Sequence, residues 1–218
     1  MTRVGILGGT FNPVHVGHVR LGLEMAEALR LDGVEFIPAA RPPHKPGEGM
    51  LPFGLRTRLL EMALEGIEGF SANLCEAERP GPSYTWDTLT LLSRERPGVE
   101  FHFIMGASDL LNLHLWKRGL ELGKLASLAV ANREKLGREE TEAYIEAHPE
   151  MRCEAGGPGA WRFPSGNRLE LVDVPRLDIS ASFIRDRFRR GASLRFLVPR
   201  AVEDELGRLR GEVLKIWG

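Results

Sequence analysis

Two histidines three residues apart close the run Gly8-Gly9-Thr10-Phe11-Asn12-Pro13-Val14-His15-Val16-Gly17-His18, which follows directly on the apolar stretch Val4 to Leu7. At i, i+3 on the start of a helix, His15 and His18 share one face and supply two donors whose protonation is tunable near neutral pH. Adjacent glycines let a ligand meet the backbone with no Cβ between them. A helix start behind such a turn aims unpaired N–H groups and a positive dipole end at the same spot, so the run reads as an anion site, and phosphate is the natural occupant. The other chemistry open to a histidine pair is zinc binding, which needs a third ligand and a nearby carboxylate. Asn12 is the only adjacent polar candidate and a poor one, so phosphate is the preferred reading.

A second cluster lies at Ile179-Ser180-Ala181-Ser182-Phe183-Ile184-Arg185, continuing as a helix to Arg190 and stopping at Gly191. Ser180 suits an N-cap and Gly191 the residue past the helix end, with Ile184 and Phe188 on the buried face. The same residues make an ordinary capped amphipathic helix. Beside the first run they gain another meaning, because serine hydroxyls, first-turn N–H groups and a bidentate arginine also make a phosphate cradle. Two cradles, one at each end of a sheet, fit a triphosphate whose α-phosphate lies near His15 and His18 while Ser180, Ser182 and Arg185 hold the distal phosphates. No Cys or Ser sits beside a base as an activated nucleophile, so in-line loss of pyrophosphate without a covalent intermediate is the expected chemistry. Mg²⁺ entering with the nucleotide would shield the leaving pyrophosphate, and His18 would stabilise charge building on the α-phosphate.

The elements that must position these residues follow from periodicity. Strands are expected at Val4 to Leu7, Val34 to Pro38, Phe70 to Cys75, Phe101 to Met105, Ser127 to Ala131 and Leu169 to Val174. Helices are expected at 17 to 30, Arg56 to Leu64, Thr85 to Arg94, Ala107 to Leu113 and Glu139 to His148. Leu21, Met25 and Leu29 mark the buried face of the first helix. This alternation predicts an α/β fold with a Rossmann-like, doubly wound, mainly parallel sheet flanked by helices. The Pro- and Gly-rich stretch Ala39 to Gly54 is too long for a mere connector and reads as a binding segment, whereas 153 to 168 reads as an irregular loop or hairpin.

A chain of 218 residues with 43% hydrophobic content suits one domain, residues 1–218, with a C-terminal helical part from about 180 packed on it. A net charge of −1 argues against a general nucleic-acid or membrane surface. No run reaches transmembrane length and the start lacks a signal-peptide pattern, so a cytoplasmic protein with free Cys75 and Cys153 is expected. The absence of Gln beside abundant Arg and Glu is compatible with a thermophilic source. Homo-oligomerisation stays open.

Gly8 to His18 resembles the G-G-x-F-D-P-x-H-x-G-H signature of the H-x-G-H nucleotidyltransferase superfamily, with Asn12 where Asp is usual. Ile179 to Arg185 resembles its I-S-x-T-x-x-R motif, with Ser182 where Thr is common. Pro42-Pro43-His44-Lys45, Ser83 to Leu89 and Phe103 to Trp116 resemble, in order and spacing, the bacterial nicotinate mononucleotide adenylyltransferase family. The resemblance runs from Arg3 to about Pro199. It implies that ATP is bound by Gly8, Gly9, Thr10, Phe11, Gly106, Ser180, Ser182 and Arg185, with His15 and His18 at the reacting phosphate. It also implies His44 and Lys45 near the acceptor phosphate, and Thr85 and Trp116 around a pyridine ring. Each of these four also reads as something plainer: loop surface, an N-cap, a core aromatic. The family pattern Gly-x-Asp is replaced by Gly106-Ala107-Ser108-Asp109, which turns Asp109 about 100° from the expected direction on a helix. Rival readings are a phosphopantetheine adenylyltransferase, a cytidylyltransferase, or a nucleotide sensor without turnover.

Overall fold

Eight strands form one sheet in the order β3-β2-β1-β4-β5-β8-β7-β6. These are β1 (Thr2–Gly9), β2 (Gly33–Pro38), β3 (Phe70–Ala72), β4 (Val99–Gly106), β5 (Ser127–Asn132), β6 (Glu154–Gly157), β7 (Ala160–Arg162) and β8 (Arg168–Asp173). The computed structural model describes residues 1–43, 49–132 and 138–218. The six strands from β3 to β8 pair in parallel, and β7 and β6 extend the edge in antiparallel fashion. The chain steps outward from β1 to β2 and β3, then crosses back to β4 on the other side, so the winding reverses between β1 and β4. In sheets of this kind ligands bind in the crevice beyond the strand carboxyl ends at that reversal.

Helices cover both faces, which is why the central strands read as nearly continuous apolar runs. One core holds Met25 and Leu29 of α1 (Val16–Leu29), Leu59, Leu60 and Leu64 of α2 (Phe53–Leu64), and Ile184 and Phe188 of α7 (Ala181–Arg189). Val202 and Leu206 of α8 (Arg200–Arg208) join it with Val213 and Trp217 of α9 (Arg210–Trp217). The opposite core holds Leu89 and Leu92 of α4 (Thr85–Glu95), Leu110 of α5 (Ala107–Leu111) and Tyr144 of α6 (Arg138–Ala147), against Ile6, Phe101, Phe103 and Leu128. The doubly wound α/β reading therefore holds. No helix among the described residues is long and apolar enough to cross a membrane.

Several boundaries differ from expectation for local reasons. β1 runs on through Gly8 and Gly9, which pair with Ile37 and Pro38, so the glycines end the strand and the turn proper begins at Thr10. β3 stops at Ala72 because Asn73 turns the chain: its Oδ1 accepts the Cys75 N–H at 3.0 Å, opening the short helix α3 (Cys75–Glu78). After α5 the chain tightens into a 3₁₀ turn at Leu113–Leu115 instead of continuing the helix to Leu113. The segment 153 to 168 forms the hairpin β6–β7, anchored by buried Trp161. Cys75 and Cys153 are free thiols, and burial, followed by the charge of Glu76, pushes Cys75 up to about 11.

Phe188 meets the indole of Trp217 edge-on at 5.3 Å and is 4% exposed, so it ties α7 to the C-terminal helix. Phe188→Ala is expected to cost about 3–5 kcal/mol. Urea unfolding followed by tryptophan fluorescence measures it, and a loss below about 1 kcal/mol contradicts this packing role.

Candidate functional site

The reversal of winding puts the end of β1 at the crevice, and the sequence there is built to turn sharply. Phe11 adopts φ 45°, a left-handed conformation rare for a bulky residue, and its ring is 1% exposed. Gly9 gives that ring room: a Cβ there would lie 3.1 Å from Phe11. Gly8 is exposed, and a Cβ on it would meet only the Phe103 ring at 3.9 Å, so a ligand can approach the backbone here.

His15 is the N-cap of α1, with extended backbone at φ −144°. Its N–H donates to His18 Nδ1 at 3.2 Å, so His18 plays the part that Glu or Gln plays in a capping box. With Nδ1 accepting, the neutral His18 ring carries its proton on Nε2. The His18 ring stacks on His15 with centroids 3.7 Å apart, and Phe11 meets it edge-on at 5.0 Å. Gly17 allows the stack, because a Cβ there would lie 3.0 Å from the His15 ring. Two donors that a free helix start would offer are already used: His15 N–H bonds His18, and Val16 N–H bonds the Leu197 carbonyl at 3.0 Å. Fewer backbone N–H groups are therefore open at this helix start than its sequence suggests.

The second cluster joins the first. Arg185 Nη1 donates to the Asn12 carbonyl at 2.9 Å, and the space beside Gly17 faces the Ile179 carbonyl. The expectation of cradles at opposite ends of the sheet is thus corrected. β8 ends at the same carboxyl edge as β1, and α7 returns over the core it shares with α1. Ser180 caps α7 by accepting the Phe183 N–H at 3.2 Å, and its hydroxyl lies 3.0 Å from that of Ser182. Both serines are exposed, and Arg185 is half-buried. Burial, and after it the charge of Arg189, lowers the Arg185 pKa from its ordinary value; a doubly charged anion would relieve both effects.

On the other side of β1, Arg41 and Ser83 clasp each other: Ser83 N–H donates to the Arg41 carbonyl at 2.9 Å and Arg41 N–H to Ser83 Oγ at 3.0 Å. This brings the segment leaving β2 beside Thr85, the first residue of α4. The N-cap is Tyr84, so Thr85 is not the cap residue. Lys117 bonds both Asp87 oxygens at 2.8 Å and Arg118 lies 3.8 Å over Trp86, which fixes the turn after Trp116 to α4. Trp116 is half-buried and meets Phe103 edge-on at 6.2 Å, next to the ring that borders Gly8. His44 and Lys45 lie outside the described residues.

Gly106, at the end of β4, donates its N–H to Asp109 Oδ2 at 3.0 Å. The Asp109 carboxylate thereby caps α5, which accounts for its displaced place in the sequence. A cavity of about 200 Å³ opens there, lined by Gly106, Ala107, Ser108, Ala131, Arg176, Leu177 and Asp178. The sequence reading missed Arg176 and Asp178, which are paired at 2.7 Å and whose spacing signals nothing by itself. Nor did it mark Arg56 of α2, which is buried beside the turn. Among the described residues no group of three or more His, Cys, Asp or Glu side chains is placed to hold a metal ion.

Comparison with known proteins gives consistent matches. Residues 6–187 match the family model described as cytidylyltransferase-like. A probable nicotinate-nucleotide adenylyltransferase of Trichlorobacter lovleyi is 44% identical over 92% of this chain and 94% of its own. One of the same description from Thermomicrobium roseum is 37% identical over 95% of this chain and 90% of its own. Among solved structures, Plasmodium falciparum nicotinic acid mononucleotide adenylyltransferase complexed with NaAD superposes with a TM-score of 0.74, covering 99% of this chain and 98% of that one at 14% identity.

The geometry predicts a pyrophosphate site. Pyrophosphate at a hundredfold excess over its dissociation constant should stabilise the folded chain by about 2.7 kcal/mol. Arg185→Ala should lose most of that gain in a thermal-shift titration, while an equal gain in wild type and variant removes Arg185 from the anion site.

Proposed function

Because this chain belongs to the cytidylyltransferase-like family and, within it, to the nicotinate-nucleotide adenylyltransferases, we propose that it transfers AMP from ATP to nicotinate mononucleotide. The products are nicotinate adenine dinucleotide and pyrophosphate, a step of NAD biosynthesis. The observation that carries the site assignment is the 2.9 Å bond from Arg185 to the Asn12 carbonyl, which makes one crevice of the two anion-binding segments.

ATP lies along that crevice, its adenosine toward the cavity at Gly106 and its α-phosphate at His18. Ser180, Ser182 and Arg185 hold the β- and γ-phosphates, and Gly8, Gly9, Thr10 and Phe11 form the floor of the turn. The acceptor enters from the wall of Arg41, Ser83 and Thr85, with Trp116 against the pyridine plane and His44 and Lys45 toward its phosphate. An acceptor phosphate oxygen attacks the α-phosphorus as the bond to pyrophosphate breaks, and His18 Nε2–H donates to a non-bridging oxygen whose charge rises in between. His15, 5% exposed and stacked beneath, sets the plane of that donor.

The donor set of His15, His18, Ser180, Ser182 and Arg185 contains no carboxylate. It fits a Mg²⁺ carried by the triphosphate and water, with no protein cage. Bound so, the ion would neutralise charge on the pyrophosphate oxygens that Ser180, Ser182 and Arg185 hold. The chain acts as one cytoplasmic domain of residues 1–218, its C-terminal helices packed on the nucleotide-binding part.

Nicotinate mononucleotide should be used in clear preference to the nicotinamide mononucleotide, because the first turn of α4 offers backbone N–H groups to a carboxylate. A neutral amide forgoes the charge and turns an NH₂ toward donors, a mismatch costing about 10²-fold or more in a dry site. Comparing kcat/KM for the two acceptors tests this, and equal use refutes the carboxylate assignment. Trp116→Ala should lower kcat/KM for both acceptors; an unchanged variant returns the indole to a packing role.

His18 is assigned two jobs, and two substitutions separate them. His18→Ala should lose about 1 kcal/mol of stability with the cap, and about 10² to 10³ in turnover. His18→Gln keeps an acceptor for the His15 N–H, so it should recover the stability while turnover stays low. A glutamine variant with near-normal turnover shows that His18 acts only as a cap.

A further inference from the structure

The largest fully buried side chain of the described residues is a cation. Arg56, in the first turn of α2, is 1% exposed and forms no ion pair with a carboxylate among the described residues. Burial lowers its pKa from the ordinary value, yet a guanidinium stays protonated. Its hydrogen bonds go to backbone carbonyls on separate segments: Nε to Leu51 at 3.1 Å, Nη1 to Thr10 at 2.6 Å, and Nη2 to Ala39 at 2.8 Å. Phe53 packs under it, 5.4 Å from ring centroid to guanidinium carbon.

Those carbonyls are not arbitrary. Thr10 begins the turn that carries Phe11 and leads to His15 and His18. Ala39 is the first residue past β2, and its own N–H bonds the Gly9 carbonyl at 2.8 Å. Two residues further on, Arg41 clasps Ser83 beside Thr85. Arg56 thus spans from the nucleotide turn to the root of the acceptor wall with one rigid planar group. In-line transfer needs the attacking oxygen about 3–3.5 Å from the phosphorus, and a shift of about 1 Å costs about 100-fold. A lysine ammonium is a compact point donor and does not reproduce a fork spread over three segments.

We propose that Arg56 is a positioning residue for adenylyl transfer: it sets the acceptor wall against the nucleotide turn and touches neither substrate. The inference rests on the reading that the turn takes ATP and the Arg41–Ser83–Thr85 wall takes the acceptor. It goes beyond that reading in giving α2 a part in the reaction.

Arg56→Lys keeps the charge and loses the fork; Arg56→Met loses both. The full chain is assayed well below each variant's Tm, with rates referred to folded protein. Arg56→Lys is expected to lower kcat/KM for the mononucleotide by about 10- to 100-fold through higher KM and lower kcat together. The dissociation constant for a non-hydrolysable ATP analogue should change less than about threefold, and Arg56→Met should deepen the same split. Should the methionine variant fail to fold, the lysine variant alone carries the test. A lower Tm with unchanged kcat/KM overturns the proposal, since Arg56 then only stabilises. A defect explained wholly by weaker binding of the ATP analogue overturns it as well. Wild type assayed with several phosphate acceptors separates the two ideas. If another acceptor is preferred, the substrate assignment falls and the Arg56 split is read on that acceptor. If none turns over, calorimetric binding of the mononucleotide reads it, and a lysine variant that binds as wild type does overturns the proposal.

Discussion

The site hangs from the pairing of β1 between β2 and β4. Gly8 and Gly9 are in register with Ile37 and Pro38, and Leu7 is in register with Ile104. Parallel ladders on both sides leave β1 no freedom to slide, since a one-residue slip would exchange buried Ile6 and Leu7 between faces. Its carboxyl end is therefore fixed where the two windings part. The sharp turn that follows can afford a residue at φ 45° because the surrounding core over-determines it. Phe11 sits between His18 and Phe36, edge-on to the first and tilted to the second. The same ring that fills the core therefore also sets the plane of the His18 ring at the crevice.

Much of this was legible in residue order. Val4 to Leu7 and Phe101 to Met105 announce themselves as strands because both faces are covered, and Ile184 and Phe188 mark the buried face of their helix. The two segments that meet at the crevice were legible as helix starts as well, since capping and the proposed phosphate cradling draw on the same few residue types. That they form one crevice was not, because it depends on which way the chain crosses after β8. The β6–β7 hairpin was half-legible: glycines hid the strands, and only buried Trp161 anchors them. Arg56 was hidden for a different reason. It occupies a position of the apolar face of α2, with Leu59, Leu60 and Ala63 at i+3, i+4 and i+7, where a cation reads as a solvated edge. Its partners at residues 10, 39 and 51 become neighbours only when the sheet has formed.

The electrostatics of the crevice follow from what is missing as a counter-charge. Arg56 and Arg185 both spend hydrogen bonds on backbone carbonyls of the turn, at Thr10 and Asn12, and neither pairs with a carboxylate among the described residues. Carbonyl dipoles orient a guanidinium without cancelling its charge. Two partly desolvated cations therefore leave a positive potential at the strand ends, strongest where water is excluded. Arg96, by contrast, is neutralised by Glu35, which it grips at 2.6 and 2.8 Å. That unneutralised charge at the strand ends is what the proposed anion site draws on.

Asn12 brings these constraints together. It is 6% exposed, its Oδ1 accepts the Leu51 N–H at 3.0 Å, and its Nδ2 donates to the Gly49 carbonyl at 2.7 Å. An ionised aspartate would make the first bond and set a carboxylate oxygen against the Gly49 carbonyl in place of the second. It would also place a negative charge on the very residue whose carbonyl Arg185 holds, offsetting part of that positive potential. A neutral amide satisfies donor and acceptor together and leaves the arginines' charge for the ligand. The amide at this position thus makes the turn a better clamp on Gly49 and Leu51 and a more positive neighbour for a triphosphate. Both effects come from exchanging a single oxygen for a nitrogen.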